Sequence, residues 1–376
     1  MEQTSNESTE MPLTEVEEKI RIELLLKGKS CRTKTKENTE DDEIFENRIE
    51  LKNELTISML KISLLLRSIP NYNLYFQPIL NIESIQYGKL TEDNIESCET
   101  IPSKTSNVKQ REELVTMKMR NYENTLIDHI RRQTTENKLK VYIEAWFQSI
   151  EILKKMKEKN IIHMNIHNQT MLYSEEKGRP ILSRYNMAYD VKEYMDVDSD
   201  WEKNFPEVDE YGAWCIDIYL LSRMATKKEM EGIEWKSKGI DNETLHKWCQ
   251  EYIYAKLNSK INNSILKTET EEYLKNLQNH FEGYNGVESL FEYLMTNAYT
   301  WDVYSLCNFF LEIGIETNVI NSKNISVGYI EKTVEVMRNF MYSMPNARAS
   351  IEGLESSMTT IYSQLSQEEY VKGILS

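Results

Sequence analysis

Ile161-Ile162-His163-Met164-Asn165-Ile166-His167-Asn168-Gln169-Thr170-Met171-Leu172, followed by Pro180-Ile181-Leu182-Ser183-Arg184-Tyr185-Asn186, is the stretch around which the chain is arranged. Two apolar residues lead into a His-containing loop, and a second apolar run ends at Arg184. The chemistry of the polar positions is restrictive. The Asn165 amide has no protonation equilibrium near neutrality, so it can orient a hydroxyl but cannot act as its base. Arg184 offers a permanent cation and no lone pair, so it repels a metal ion. His163 and His167 stand four apart, a spacing that would suit a metal pair on a helix. They fall in a loop with no third ligand in view, so no metal site is expected.

Upstream, Lys138 to Lys159 carries the clearest helical pattern, with Leu139, Tyr142, Ala145, Trp146, Ile150, Leu153 and Met156 at helical spacing. It ends at Asn160 and delivers the loop. The chain has 376 residues, enough for two lobes with a sizeable core. A formal charge of −16 and a pI near 5.0 argue against a nucleic-acid surface, which needs clustered Lys and Arg. There is no run of about 18 apolar residues, and MEQTSNESTE at the N-terminus is polar and acidic, so a soluble intracellular protein without a membrane span is expected. Cys31, Cys98, Cys215, Cys249 and Cys307 are scattered without C-x-x-C pairs and read as reduced thiols.

Residues 1–15 read as disordered by composition. Ile20 to Leu26 reads as a strand, and Ile44 to Ser68 as one long helix after a charged, turn-forming segment. Phe76 to Leu80 and Ile85 to Tyr87 read as short strands, the first an edge strand because of Pro78. Glu113 to Met119 reads as a strand, with a connection at Met119 to Glu123 and a helix starting at Thr125. Between Asp217 and Asp302, helices are expected around Glu243 to Leu257, Thr270 to Phe281 and Val287 to Ala298. Trp248, Tyr252, Tyr254, Tyr273, Phe281, Tyr284, Phe291 and Tyr293 make this region aromatic-rich, which suits helix packing better than base stacking.

Four pieces, in order, carry a family resemblance: Ile69-Pro70-Asn71-Tyr72 with Tyr75-Phe76, the loop from His163 to Leu172, Glu210-Tyr211-Gly212-Ala213-Trp214-Cys215-Ile216-Asp217, and Thr300-Trp301-Asp302-Val303-Tyr304-Ser305-Leu306. Over roughly residues 20 to 360 the chain resembles the protein-kinase-like proteins encoded by nucleocytoplasmic large DNA viruses. The resemblance implies a two-lobed α+β fold, with a kinase-like N-lobe at 16–118 and a C-lobe at 119–376 that carries a helical insertion at about 226–297.

An active kinase has H-R-D-L-x-x-x-N and then D-F-G, which supply the base and the magnesium ligands. Here His163 keeps its place, but Asn165 stands at the base position, and Thr170 and Arg184 stand at the metal-ligand positions. Lys27, with Glu54 or Glu50, is the candidate for the lysine–glutamate pair that contacts nucleotide phosphates. Glycine is scarce at 12 residues, and before Gly88 only Gly28 occurs, so the phosphate-gripping glycine hairpin is missing. The resemblance further implies that Asp302 binds backbone amides of the loop and that Arg348 pairs with Asp217 or with Glu207.

The expectation is a pseudokinase with no catalytic residues and no cofactor. It would act by binding a protein partner, another viral protein being one candidate, in host cytoplasm or virion. A divergent active kinase and a structural virion component are the alternatives.

Overall fold

The structure, a computed structural model, describes residues 31–36, 44–52, 54–85, 114–205, 214–257, 267–284, 286–321 and 328–363. It is a mixed α+β protein. In chain order the elements are β1 (Cys31–Lys36), β2 (Ile44–Leu51), α1 (Glu54–Arg67), β3 (Phe76–Gln77), β4 (Asn81–Ile85), β5 (Leu114–Arg120), β6 (Asn124–Thr125), α2 (Leu126–Arg132) and α3 (Thr135–Lys157). Next come β7 (Ile161–Ile162), β8 (Met171–Ser174), β9 (Arg179–Ser183), β10 (Tyr189–Asp190), α4 (Ile216–Glu231), α5 (Trp235–Lys238) and α6 (Asn242–Leu257). The chain continues through α7 (Lys267–Phe281), α8 (Val287–Thr296), α9 (Trp301–Glu316), α10 (Gly328–Tyr342) and α11 (Ile351–Ser363).

Two compact units divide the chain, Met1–Lys61 with Ile79–Asn121 and Ile62–Pro78 with Tyr122–Ser376. The division falls inside α1, and 62–78 belongs with the larger unit.

The smaller unit contains an antiparallel sheet in the order β1-β2-β5-β4. The helix expected over Ile44 to Ser68 is corrected here: residues 44–51 are a strand, and α1 begins only at Glu54. The reason lies in what the strand buries. Glu46, Arg48 and Glu50 sit opposite Met119, Met117 and Val115, and all six are buried on one face. Arg48 donates to Glu46 there. Charged residues at the inward positions hide the apolar-polar alternation that marks a strand, while ladder bonds to both neighbours still stabilise it. Met59 of α1 and Ile79 complete the core over Val115, Met117 and Met119.

In the larger unit a second sheet runs β3-β9-β8-β6, with β3 parallel to β9 and the other pairs antiparallel. The strand expected over Phe76 to Leu80 is cut short at Gln77, because Pro78 has no N–H to donate; it is an edge strand. Of the strand expected over Ile85 to Tyr87, Ile85 closes β4 of the smaller unit, and residues 86 and 87 lie outside the described residues. Thr125 caps α2 in a capping box with Asp128.

The apolar stripe of α3 is buried throughout. It meets α9 where Tyr142 donates to the Phe310 carbonyl at 2.8 Å and the rings of Trp146 and Phe310 meet edge to face. From Trp301 to Leu311 every residue of α9 is buried, as suits a helix at the centre of a core. The aromatic residues between α4 and α9 largely turn inward: Tyr252, Tyr273, Phe281 and Phe291 are buried, Tyr284 meets Tyr293 with its ring tilted, and Tyr254 alone among the eight is exposed. No helix among the described residues is long and apolar enough to cross a membrane.

Candidate functional site

All the residues of this site belong to the larger unit. Helix α3 ends where Asn160 adopts left-handed backbone, φ 58°, which Asn tolerates better than most residues. The chain then enters β7, a two-residue ladder with β10. Beyond β7 the chain forms a loop held from three directions.

From α9, the Asp302 carboxylate accepts the backbone N–H of His163 at 2.7 Å and that of Met164 at 2.9 Å. Met164 itself is left-handed, φ 56°, a strained conformation for a side chain of that kind. The two bonds from one carboxylate hold it there. From the residue pair before α4, the Trp214 indole N–H donates to the Met164 carbonyl at 2.9 Å. From the end of β9, the Ser183 carbonyl accepts the Nε2–H of His163 at 2.9 Å.

That last bond assigns the tautomer of His163. A carbonyl can only accept, so Nε2 carries the proton, and Nδ1 accepts the backbone N–H of Asn165 at 3.2 Å. Burial pushes the imidazole pKa down to about 3, with the Ser183 bond opposing. Both ring nitrogens are thereby committed, and His163 has no lone pair left for a metal. Among the described residues no three His, Cys, Asp or Glu side chains cluster in a way that could hold an ion.

Thr170 closes the loop upon itself. Its hydroxyl accepts the His167 N–H at 2.9 Å and lies 2.8 Å from the Asn165 carbonyl, to which it donates. The Thr170 carbonyl accepts both the N–H and the hydroxyl of Ser183, each at 2.9 Å. Thr170 is thus a fastener between the loop and β9.

Arg184 is next in the chain, buried at 5% exposure and left-handed, φ 64°. Its Nε–H is buried without an acceptor among the described residues. Tyr185 places its ring edge-on to His163. Arg184 thus brings a guanidinium to the turn after β9, and the residues present there do not fit a divalent cation.

A second polar centre lies at the start of α4. Arg348 donates to the Asp217 carboxylate and, at 3.2 Å, to the Thr300 hydroxyl. Both charged side chains are essentially inaccessible, at 1% and 0% exposure. Burial would lower the Arg348 pKa, but the Asp217 charge outweighs it and holds the guanidinium ionised. Asp217 also sits in the first turn of α4, where the helix dipole favours a carboxylate.

Of the other expected residues, Lys27 and Glu207 lie outside the described residues, and Glu54 is the first residue of α1. Glu50, the alternative to Glu54, is corrected from helix to strand: it is a buried position on β2. Sequence reasoning gave no role to Trp214 or to Ser183. A tryptophan immediately before a helix start was the available signal for the first; nothing marked the second. Cys215, Cys249 and Cys307 are buried free thiols, and burial pushes those of Cys215 and Cys249 up to about 12.

Two groups of the loop give it an acid signature. The depressed His163 pKa adds stability that is complete above pH 6.5 and is lost as pH falls towards 3. Asp302 is shifted the other way: burial raises its pKa to about 6, against the His163 and Met164 amides, so its contribution declines as pH rises from 3.8 to 6. Between pH 6 and 4 the two slopes oppose each other. Replacing His163 with Phe keeps the ring but removes the titration. Its cost relative to wild type is expected to shrink by about 3 kcal/mol between pH 7 and pH 4. Urea unfolding of both proteins at the two pH values measures this; a cost that is constant with pH contradicts a buried neutral imidazole.

Comparison with known proteins finds no matching family model and no matching curated protein.

Proposed function

We propose that this chain is a pseudokinase: a two-lobed protein-kinase-like protein that has lost phosphotransferase activity and works by binding another protein, as a scaffold or regulator. Residues 16–118 form its N-lobe and 119–376 its C-lobe, with the helical insertion at about 226–297. It is a viral protein of the large DNA virus kind, its partner another viral protein, and it resides in the host cytoplasm or the virion.

The observation that carries this reading is a contrast within one loop. The groups that shape it are in place: Asp302 on the two amides, His163 on Ser183, and Arg348 on Asp217. The groups that would perform transfer are replaced by Asn165, Thr170 and Arg184. An amide supplies no base, a threonine hydroxyl already spent on its own loop supplies no metal ligand, and a guanidinium excludes the ion. Loss confined to chemistry, with the shaping contacts intact, fits a fold kept for binding.

Manganese binding tests this reading, through water-proton relaxation in the presence of ATP. Wild type is expected to show no enhancement. The triple variant Asn165→Asp, Thr170→Asn, Arg184→Asp is expected to gain it. Enhancement in the wild-type protein contradicts the reading.

A further inference from the structure

Three parts of the larger unit meet at one phenolic hydroxyl. The Tyr293 hydroxyl of α8 lies 2.6 Å from Nε2 of His280 on α7 and accepts the backbone N–H of Asn346 at 3.2 Å. Asn346 stands in the Pro345–Ala347 turn, two residues before Arg348. In that turn the Met344 carbonyl accepts the N–H of Ala347 at 2.9 Å and that of Arg348 at 3.0 Å. The turn thereby presents the guanidinium that Asp217 takes. Tyr284 lies against Tyr293 with ring centroids 4.8 Å apart, and His280 and Tyr293 are both half-buried.

These bonds assign the protons. The hydroxyl has one hydrogen, and the Asn346 N–H already occupies one of its lone pairs. Every group is satisfied when that hydrogen goes to Nε2, so His280 is neutral with its proton on Nδ1. A proton taken up at Nε2 sets N–H against O–H. The hydroxyl then has to accept from both N–H groups, and its own hydrogen has to find another acceptor.

The charged and titratable neighbours come from several elements. Asp217 of α4 favours the imidazolium, while Asp217 and Tyr284 act on Tyr293 against Arg348 and the Asn346 amide. From α6, which packs along α7, His246 meets it through its carbonyl, which accepts the Gln278 amide at 3.4 Å. Burial outweighs Asp217 and lowers the His280 pKa below its ordinary 6.5. Burial also holds the Tyr293 hydroxyl well above its ordinary range, so it stays protonated.

We propose that His280 and Tyr293 form a proton-sensitive latch on the turn that presents Arg348, closed while His280 is neutral and loosened when it takes up a proton. The sign follows from the lowered pKa: the contribution of the neutral pair is complete above pH 6.5 and declines as pH falls below it. The response is local, because the group that changes charge and the turn it holds share one hydroxyl.

NMR titration of the full chain tests the proposal, following the His280 ring protons and the Asn346 amide from pH 7.5 to pH 5. Both are expected to move with one midpoint below 6.5. Hydrogen-exchange protection of the amides at 346–348, corrected for the intrinsic pH dependence, is expected to fall by roughly threefold to tenfold over that range. His280→Gln keeps an acceptor for the Tyr293 hydroxyl and removes the titration, so protection there is expected to become independent of pH. Tyr293→Phe is expected to uncouple the Asn346 amide from His280.

A His280 midpoint at or above 6.5 overturns the proposal, as does an Asn346 amide that does not follow it. So does a pH response at 346–348 that persists in His280→Gln. Should either variant not fold, the co-titration of His280 and Asn346 in the wild-type protein decides alone.

Discussion

Replacing Arg348 with methionine is expected to destabilise the protein by about 3–5 kcal/mol, because it strands the Asp217 carboxylate at 0% exposure with no counter-ion. Asp217 already has one carboxylate oxygen without a partner, so no spare bond softens the loss. The double replacement Arg348→Met with Asp217→Leu is expected to recover most of that stability, since an apolar pair of similar volume avoids the desolvation of two ions. Chemical unfolding of the two single variants and the double variant gives the coupling between them. Additive losses would mean that the pair contributes by packing and not by charge.

The Asp302→Asn replacement is expected to cost about 2–4 kcal/mol. An amide can accept from only one of the two N–H groups that face it, and its own NH2 then confronts the other as donor against donor. The loop should respond locally as well as globally. Amide hydrogen exchange at His163 and Met164 is expected to quicken, as Met164 loses the contact that keeps it at positive φ. Unchanged exchange at those two amides would show that the loop is held by Trp214 and Ser183 instead.

Several parts of this architecture were readable from residue types. The stripe of α3 and the helices α6, α7 and α8 match their apolar periodicity, with ends displaced by up to three residues. The alternatives left open for the partner of Arg348 reduce, among the described residues, to Asp217. Strand β2 was not readable, because its inward positions carry Glu46, Arg48 and Glu50, whose burial depends on what lies across the sheet. The roles of Thr170 and Trp214 were hidden for a related reason. Thr170 satisfies backbone groups of its own loop, and Trp214 reaches a carbonyl 50 positions away in sequence. Neither leaves a periodic trace. Arg184 was readable as a residue that cannot bind a metal, but the burial of its Nε–H without an acceptor among the described residues emerges only in three dimensions.

Whether Asn165, Thr170 and Arg184 abolish transfer is tested most directly by incubating the wild-type protein with radiolabelled ATP and either magnesium or manganese, alone and with a general protein acceptor. The expected result is no label on the chain or the acceptor above that of a heat-denatured control. Metal-dependent transfer that persists in a freshly repurified preparation and disappears on replacing Asn165 or Arg184 with alanine would contradict the account.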